Sequence, residues 1–244
     1  MGRINATFKR LRWEKEGALI PSVTIGQPSF DVTRQIVPLM ARQGADLILL
    51  SQAVGSTLDD CFRVVADVRG ANEVPLIFRW YPAWLGDYSA SEFVGLCAEA
   101  GFDGIWGDQQ AANAHEIRLA CEAAGISVVA SVTPDMPITE IHSELDGADG
   151  FVVCRLNPPF EAGPESETAQ TATAFVNGLR ELTQLPIVLS TPLDTPQNVS
   201  AAARISDGAL VGPDLHSALP EDEIILMVGD YIRELKAATI AASG

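Results

Sequence analysis

The sequence predicts a (β/α)₈ barrel: eight parallel strands alternating with helices, as one domain over residues 1–244, with an extra N-terminal helix. Three observations predict it. Short apolar runs alternate regularly with helical patterns. The runs are nearly continuous in Val, Ile, Leu and Phe, as strands buried on both faces are. A four-residue signature recurs before every second strand.

The strands read as residues 18–24, 47–51, 75–80, 104–106, 127–132, 150–154, 187–190 and 209–211. The helix over 32–43 places Ile36, Val37, Leu39 and Met40 on one face, and that over 59–68 places Phe62, Val64, Val65 and Val68. The helix over 91–100 opens at a serine and stops at Gly101, and that over 114–124 stops at Gly125. Helices over 168–182, 195–203 and 221–238 complete the alternation, the second opening with Thr195-Pro196 as N-cap and first residue. Residues 4–13 form the extra helix, placed to cover the barrel floor.

The recurring signature is Gly44-Ala45-Asp46-Leu47, Gly101-Phe102-Asp103-Gly104, Gly147-Ala148-Asp149-Gly150 and Ile205-Ser206-Asp207-Gly208. It precedes strands two, four, six and eight, which marks repeated βα units. In three of the four, glycine ends a helix and aspartate begins the turn into the strand.

Composition narrows the function. Apolar residues are 47% and charged residues 20% of 244, so a folded core is expected. The net charge of −16, with three lysines, opposes a phosphate backbone, so no nucleic-acid partner is expected. That acidity fits either a salt-rich cytoplasm or ordinary solubility. No eighteen-residue apolar run and no apolar leader segment occur, so no membrane partner and a cytoplasmic location are expected. Cys61, Cys97, Cys121 and Cys154 form no metal-ligand spacing and read as reduced, buried thiols. No metal site and no nucleotide or other cofactor is implied.

The segment Glu16-Gly17-Ala18-Leu19-Ile20-Pro21-Ser22-Val23-Thr24-Ile25-Gly26-Gln27-Pro28 resembles the first strand of tryptophan synthase alpha chains, with Gln27 in place of the usual aspartate. Gln43-Gly44-Ala45-Asp46, Thr195-Pro196-Gln197-Asn198-Val199 and Asp207-Gly208-Ala209-Leu210-Val211-Gly212 extend the resemblance nearly end to end. The resemblance implies a barrel that splits indole-3-glycerol phosphate with two carboxylates and clamps the phosphate on backbone amides after strands seven and eight. It also implies docking to a beta subunit.

The same segments depart from the family where its chemistry lies. In Ile48-Leu49-Leu50-Ser51-Gln52, Leu49 stands where the family has its catalytic glutamate. The loop carrying the family's aspartate reads as deleted; a gapless register would put Asp60 there instead. Ser190-Thr191-Pro192-Leu193 and Gly212-Pro213-Asp214 replace the glycine-rich phosphate segments, with Pro213 removing an amide donor and Asp214 opposing an anion. Cys154-Arg155-Leu156-Asn157-Pro158-Pro159 replaces the mobile loop after strand six.

Barrel enzymes act at the C-terminal ends of their strands. Those ends offer Ser22, Thr24 and Gln27; Ser51 and Gln52; Arg79, Trp80 and Tyr81; Trp106, Asp108, Gln109 and Gln110; Ser131, Thr133 and Asp135; Cys154, Arg155 and Asn157; Ser190, Thr191, Asp194, Asp214 and His216. Asp108 is the candidate catalytic acid or base, or else a structural partner of Arg79. Arg79 and Arg155 are candidates to hold a small anionic ligand, or else pair with a carboxylate such as Asp108. Ser22, Tyr81 and Ser190 complete the ligand-binding set. Trp80, Tyr81, Trp84 and Trp106 either stack on a planar ligand or pack loop against helix. Cys154 is a nucleophile only if Arg155 lowers its pKa, and otherwise a buried thiol. The expected shared cavity holds Arg79, Asp108 and Arg155, by strand parity with Ile77, Trp106 and Val153. The reading is a divergent lyase-type enzyme on a small molecule, or alternatively a non-catalytic subunit that binds a beta-like partner.

Overall fold

The computed structural model describes residues 2–81, 85–86, 88–107, 111–157, 160–163, 166–190, 195–212 and 220–241. Strands β1 (Ala18–Ile25), β2 (Ile48–Gln52), β3 (Leu76–Arg79), β4 (Gly104–Trp106), β5 (Ser127–Val132), β6 (Val152–Arg155), β7 (Ile187–Ser190) and β8 (Gly208–Val211) pair in sequence order, and β8 returns to β1. All pairs are parallel, so the closed (β/α)₈ barrel is the fold. Helices α2 (Phe30–Arg42), α3 (Leu58–Arg69), α4 (Ala90–Ala100), α5 (Ala114–Ala124), α6 (Ile138–Leu145), α7 (Glu167–Leu182), α8 (Pro196–Ile205) and α9 (Glu221–Ala241) occupy the connections and the C-terminus. No described helix is long and apolar enough to cross a membrane.

The helix α1 (Arg3–Glu14) lies under the barrel, as its sequence pattern implies. Ile4, Phe8 and Leu11 are buried in one cluster with the inward residues Ala18, Ile20, Leu49, Ile77 and Phe151. Phe8 meets Phe151 at 5.4 Å between ring centroids. Gly104 makes room for this floor, since an added Cβ would stand 2.7 Å from Ile4 Cδ1. Each of the three apolar side chains contributes about 1.5–3 kcal/mol by leaving water.

Helix starts follow local chemistry. Thr57 and Asp60 form a reciprocal capping box on α3, and Ser89 and Glu92 form one on α4. Gly101 and Gly125 close α4 and α5 in the left-handed region, at φ 99° and 70°. One element has no counterpart in the sequence reading. Helix α6 is short, follows Pro137, and buries only Ile141 and Glu144. An apolar stripe that thin gives no clear helical period.

The four recurrent aspartates share one geometry. Each donates its backbone N–H to a carbonyl at the start of the preceding strand and accepts that residue's N–H on its carboxylate. Asp46 does this with Leu19, Asp103 with Leu76, Asp149 with Val128 and Asp207 with Ile187. The carboxylate bonds are 2.7–3.0 Å long. Arg10 and Lys236 then pair with Asp46, Arg69 and Arg3 with Asp103, and Arg180 with Asp207.

Candidate functional site

Strand parity divides the barrel interior into two levels. Ile20, Leu49, Ile77, Val129, Val153 and Val188 belong to the apolar inner cluster. Two residues further along the same strands come Ser22, Ser51, Arg79, Ser131, Arg155 and Ser190. Successive side chains alternate faces, so each of these shares the inward face of the apolar residue before it. The interior therefore changes from hydrocarbon to polar groups at the C-terminal end. Trp106 is the inward residue at the end of β4 and is 5% exposed.

Arg79 is half-buried, with its guanidinium carbon 4.6 Å from the centroid of the Trp106 ring and 5.1 Å from that of Tyr81. Register explains the first contact, because Arg79 and Trp106 are paired positions on β3 and β4. The aromatic faces attract the cation. Arg79 forms no ion pair among the described residues. Arg155 is exposed at the end of β6 and faces Asp135 electrostatically. The Asp135 carboxyl is held below its usual value mainly by the Thr133 hydroxyl and its own backbone, with a smaller contribution from Arg155.

The hydroxyls differ in how they are satisfied. Thr24 and Ser51 bond each other at 3.3 Å across β1 and β2. Ser22 and Ser190 are partly exposed on their strands. Ser131 is 6% exposed, and its Oγ has no hydrogen-bond partner among the described residues. Its backbone N–H donates to Glu144 Oε2 at 3.4 Å, so the orphaned group is the side chain alone. A buried hydroxyl left unpaired costs about 1–3 kcal/mol.

The structure brings together only part of the expected constellation. Arg79, Tyr81 and Trp106 are in contact, and Arg155 shares their inward parity from across the ring. Asp108, Trp84, Gln109, Gln110, Thr191, Asp194, Asp214 and His216 lie outside the described residues, and so does any test of Asp108 beside the arginines. The tryptophans divide. Trp106 faces inward, whereas Trp80 is 3% exposed in the outer layer, 5.8 Å from the Phe93 ring. Gly107 permits that packing, because an added Cβ would overlap the Trp80 indole. Cys154 also points outward among the helices, and burial pushes its thiol up to about 12. A thiol held neutral at that level is no nucleophile at neutral pH. Asp60 caps α3, accepting the Thr57 hydroxyl at 2.7 Å, and that bond above all lowers its pKa. Sequence reasoning placed Ser131 at a strand end without selecting it. Its spacing of two from Val129 was the available signal; its lack of a partner was not visible.

Known proteins resemble this chain in three ways: a family model, whole-length relatives and solved structures. The family model described as "Tryptophan synthase alpha chain" matches residues 49–224. The tryptophan synthase alpha chain of Chloroflexus aggregans is 30% identical, with 98% of each chain covered. That of Geotalea uraniireducens is 28% identical, with 100% of each covered. Among solved structures, the Legionella pneumophila alpha chain superposes with a TM-score of 0.85 at 19% identity, covering 98% of this chain and 97% of that one. A chain of Mycobacterium tuberculosis tryptophan synthase in its aminoacrylate-bound form gives 0.85 at 18%, covering 98% and 100%. At those identities the structural likeness concerns the fold.

Proposed function

The chain belongs to the tryptophan synthase alpha chain family, and from that premise we propose a small-molecule lyase-type enzyme that holds an anionic ligand on Arg79 and Arg155. In this reading it does not cleave indole-3-glycerol phosphate by the family's paired-carboxylate mechanism. The observation that carries the reading is the polar upper level of the barrel, where Arg79 lies on Trp106 without a counter-charge among the described residues. In a chain of net charge −16, an inward arginine so placed is suited to an anion brought from solution.

Leu49 supports the second half. It is 1% exposed and packed in the apolar inner cluster. By the family resemblance this is the glutamate position, and a leucine moves no proton. Asp108, two residues beyond Trp106, is the carboxylate we assign to proton transfer, and Ser22, Tyr81 and Ser190 are the further ligand contacts. Arg79 and Arg155 would fix the substrate's charge and orient it over that group.

An indole-release assay on indole-3-glycerol phosphate tests the loss. The expected rate is lower than the family's by about 10²–10⁴-fold or more, the effect of losing one acid/base group. Family-like turnover overturns the reading. Arg79→Ala, titrated with benzoate and followed by tryptophan fluorescence, tests the anion site, with weaker binding expected by about tenfold or more.

A second reading is a subunit that binds a beta-like partner. Val54, 97% exposed in the loop after β2, favours it as an apolar contact on the face the family uses for docking. Co-purification with a beta-like chain that is lost in Val54→Asp supports this reading. An unaffected complex, or none, counts against it.

A further inference from the structure

We infer that Ser131 is a specificity residue of the mouth, and that the ligand is a compact planar carboxylate carrying a hydroxyl or similar hydrogen-bonding group away from its charge. The inference rests on the reading that Arg79 binds an anion.

Ser131 supplies the first reason. It faces the barrel interior from β5, one inward step above Val129, and its strand neighbour is the buried Val153. Whereas Ser51 in the same layer bonds Thr24, the Ser131 Oγ is buried without a partner among the described residues. An orphaned polar atom at the boundary between apolar floor and polar mouth is a group kept for something that arrives.

Arg79 supplies the second. Two aromatic rings lie against its guanidinium, and among the described residues it forms no ion pair. A fork with covered faces meets an anion in its own plane, as a carboxylate does with two parallel bonds. Charge selects between anions. Arg155 helps lower the Asp135 carboxyl, so the two arginines and that carboxylate together carry one net positive charge at the described mouth. One such charge matches a monoanion better than a phosphate dianion.

The register joins the two groups. Arg79 pairs with Trp106, and Trp106 with Val129, the residue below Ser131. Arg79, Trp106 and Ser131 thus sit on three adjacent strands, with Trp106 on the strand between the cation and the hydroxyl. A molecule bridging them crosses Trp106, which favours a planar body. Sites built to hydrogen-bond a substrate hydroxyl reject analogues that lack it, because the buried partner stays unpaired.

The test is a binding titration of the full chain with benzoate, its three monohydroxy isomers and inorganic phosphate. Wild type is expected to bind at least one isomer about tenfold more tightly than benzoate, and benzoate more tightly than phosphate. Ser131→Ala should bring that isomer to within about twofold of benzoate, leave benzoate unchanged, and melt no lower than wild type. Ser131→Thr, which keeps the hydroxyl, should retain the preference. If no isomer is preferred, or the preference survives in Ser131→Ala, the role of Ser131 is overturned while the anion site on Arg79 stands. Tighter binding of phosphate than of every carboxylate overturns the ligand class. If none of the probes binds wild type, both the inference and the anion site fall.

Discussion

At the floor of the barrel, Asp103 accepts the Leu76 N–H at 2.9 Å, pairs with Arg69 at 2.6 Å and with Arg3 at 3.1 Å, and donates its own N–H to Leu76. At the mouth, Ser131 leaves its hydroxyl unpaired, and Arg79 has aromatic rings where Arg69 has a carboxylate. The floor uses its polar groups to hold strands to one another and α1 and α9 to the barrel. The mouth leaves polar groups open at some cost in stability. In this architecture the N-terminal face serves stability and the C-terminal face serves chemistry. Here Asp103 and Ser131 are one example from each end.

The largest expected effect is at the floor. Asp103→Ala removes the acceptor of Leu76 N–H and leaves Arg69, with a side chain 15% exposed, without its partner. Breaking a buried pair in this way costs about 3–5 kcal/mol, or a fall in Tm of roughly 6–20 °C for a chain this size. Calorimetry showing a change under about 1 kcal/mol would mean that the floor network is ornamental and the contrast between the ends is false.

Leu49→Glu comes next. It places a carboxylate in an apolar layer at a position 1% exposed. We expect a loss of about 2–4 kcal/mol, a carboxyl pKa above its usual value, and no indole release, since one restored carboxylate does not restore a site. Retained stability together with indole release would show that Leu49 was the one missing part.

Arg79→Ala should lower stability by only about 0.5–1 kcal/mol, the value of a partly exposed cation–π contact, while weakening anion binding. A loss as large as that of Asp103→Ala would make Arg79 structural and erase the distinction between the two ends.

The smallest effect concerns the thiols. Burial pushes Cys61 up to about 11 and Cys121 and Cys154 up to about 12, and Cys97 well above its ordinary value. The folded state therefore keeps protons that the unfolded chain releases near pH 9, and stability falls as pH rises from there toward 12. A thiol reagent at pH 8 should label none of the four until denaturant is added. Fast labelling of Cys154 in the native protein would place it in the mouth rather than behind it.

Much of this was legible in the chain. All eight strands fall within two residues of the positions their apolar runs indicate, because a strand buried on both faces must be apolar throughout. Strand parity also placed Ile77 and Val153 in the apolar inner cluster, since side-chain alternation is a property of the strand itself. Helix α6 was not legible, because Ile141 is the one buried apolar residue it contributes. Alternation next to an inward Arg79 turns Trp80 outward, but its partner there, the Phe93 ring, is supplied only by the fold.

The sequence by itself determined the order of elements, the faces of the strands and the recurrence of an aspartate before each even-numbered strand, because these follow from local periodicity and turn chemistry. Tertiary structure decided what those residues touch. Each aspartate reaches an N–H 20–27 residues earlier in the chain, a partner that exists only once neighbouring strands are aligned. Closure of the ring likewise brings Trp106 under Arg79 and leaves the Ser131 Oγ without a partner among the described residues. A hydrogen bond depends on distances of a few tenths of an ångström between segments far apart in sequence, and no local pattern encodes whether one is made or left open.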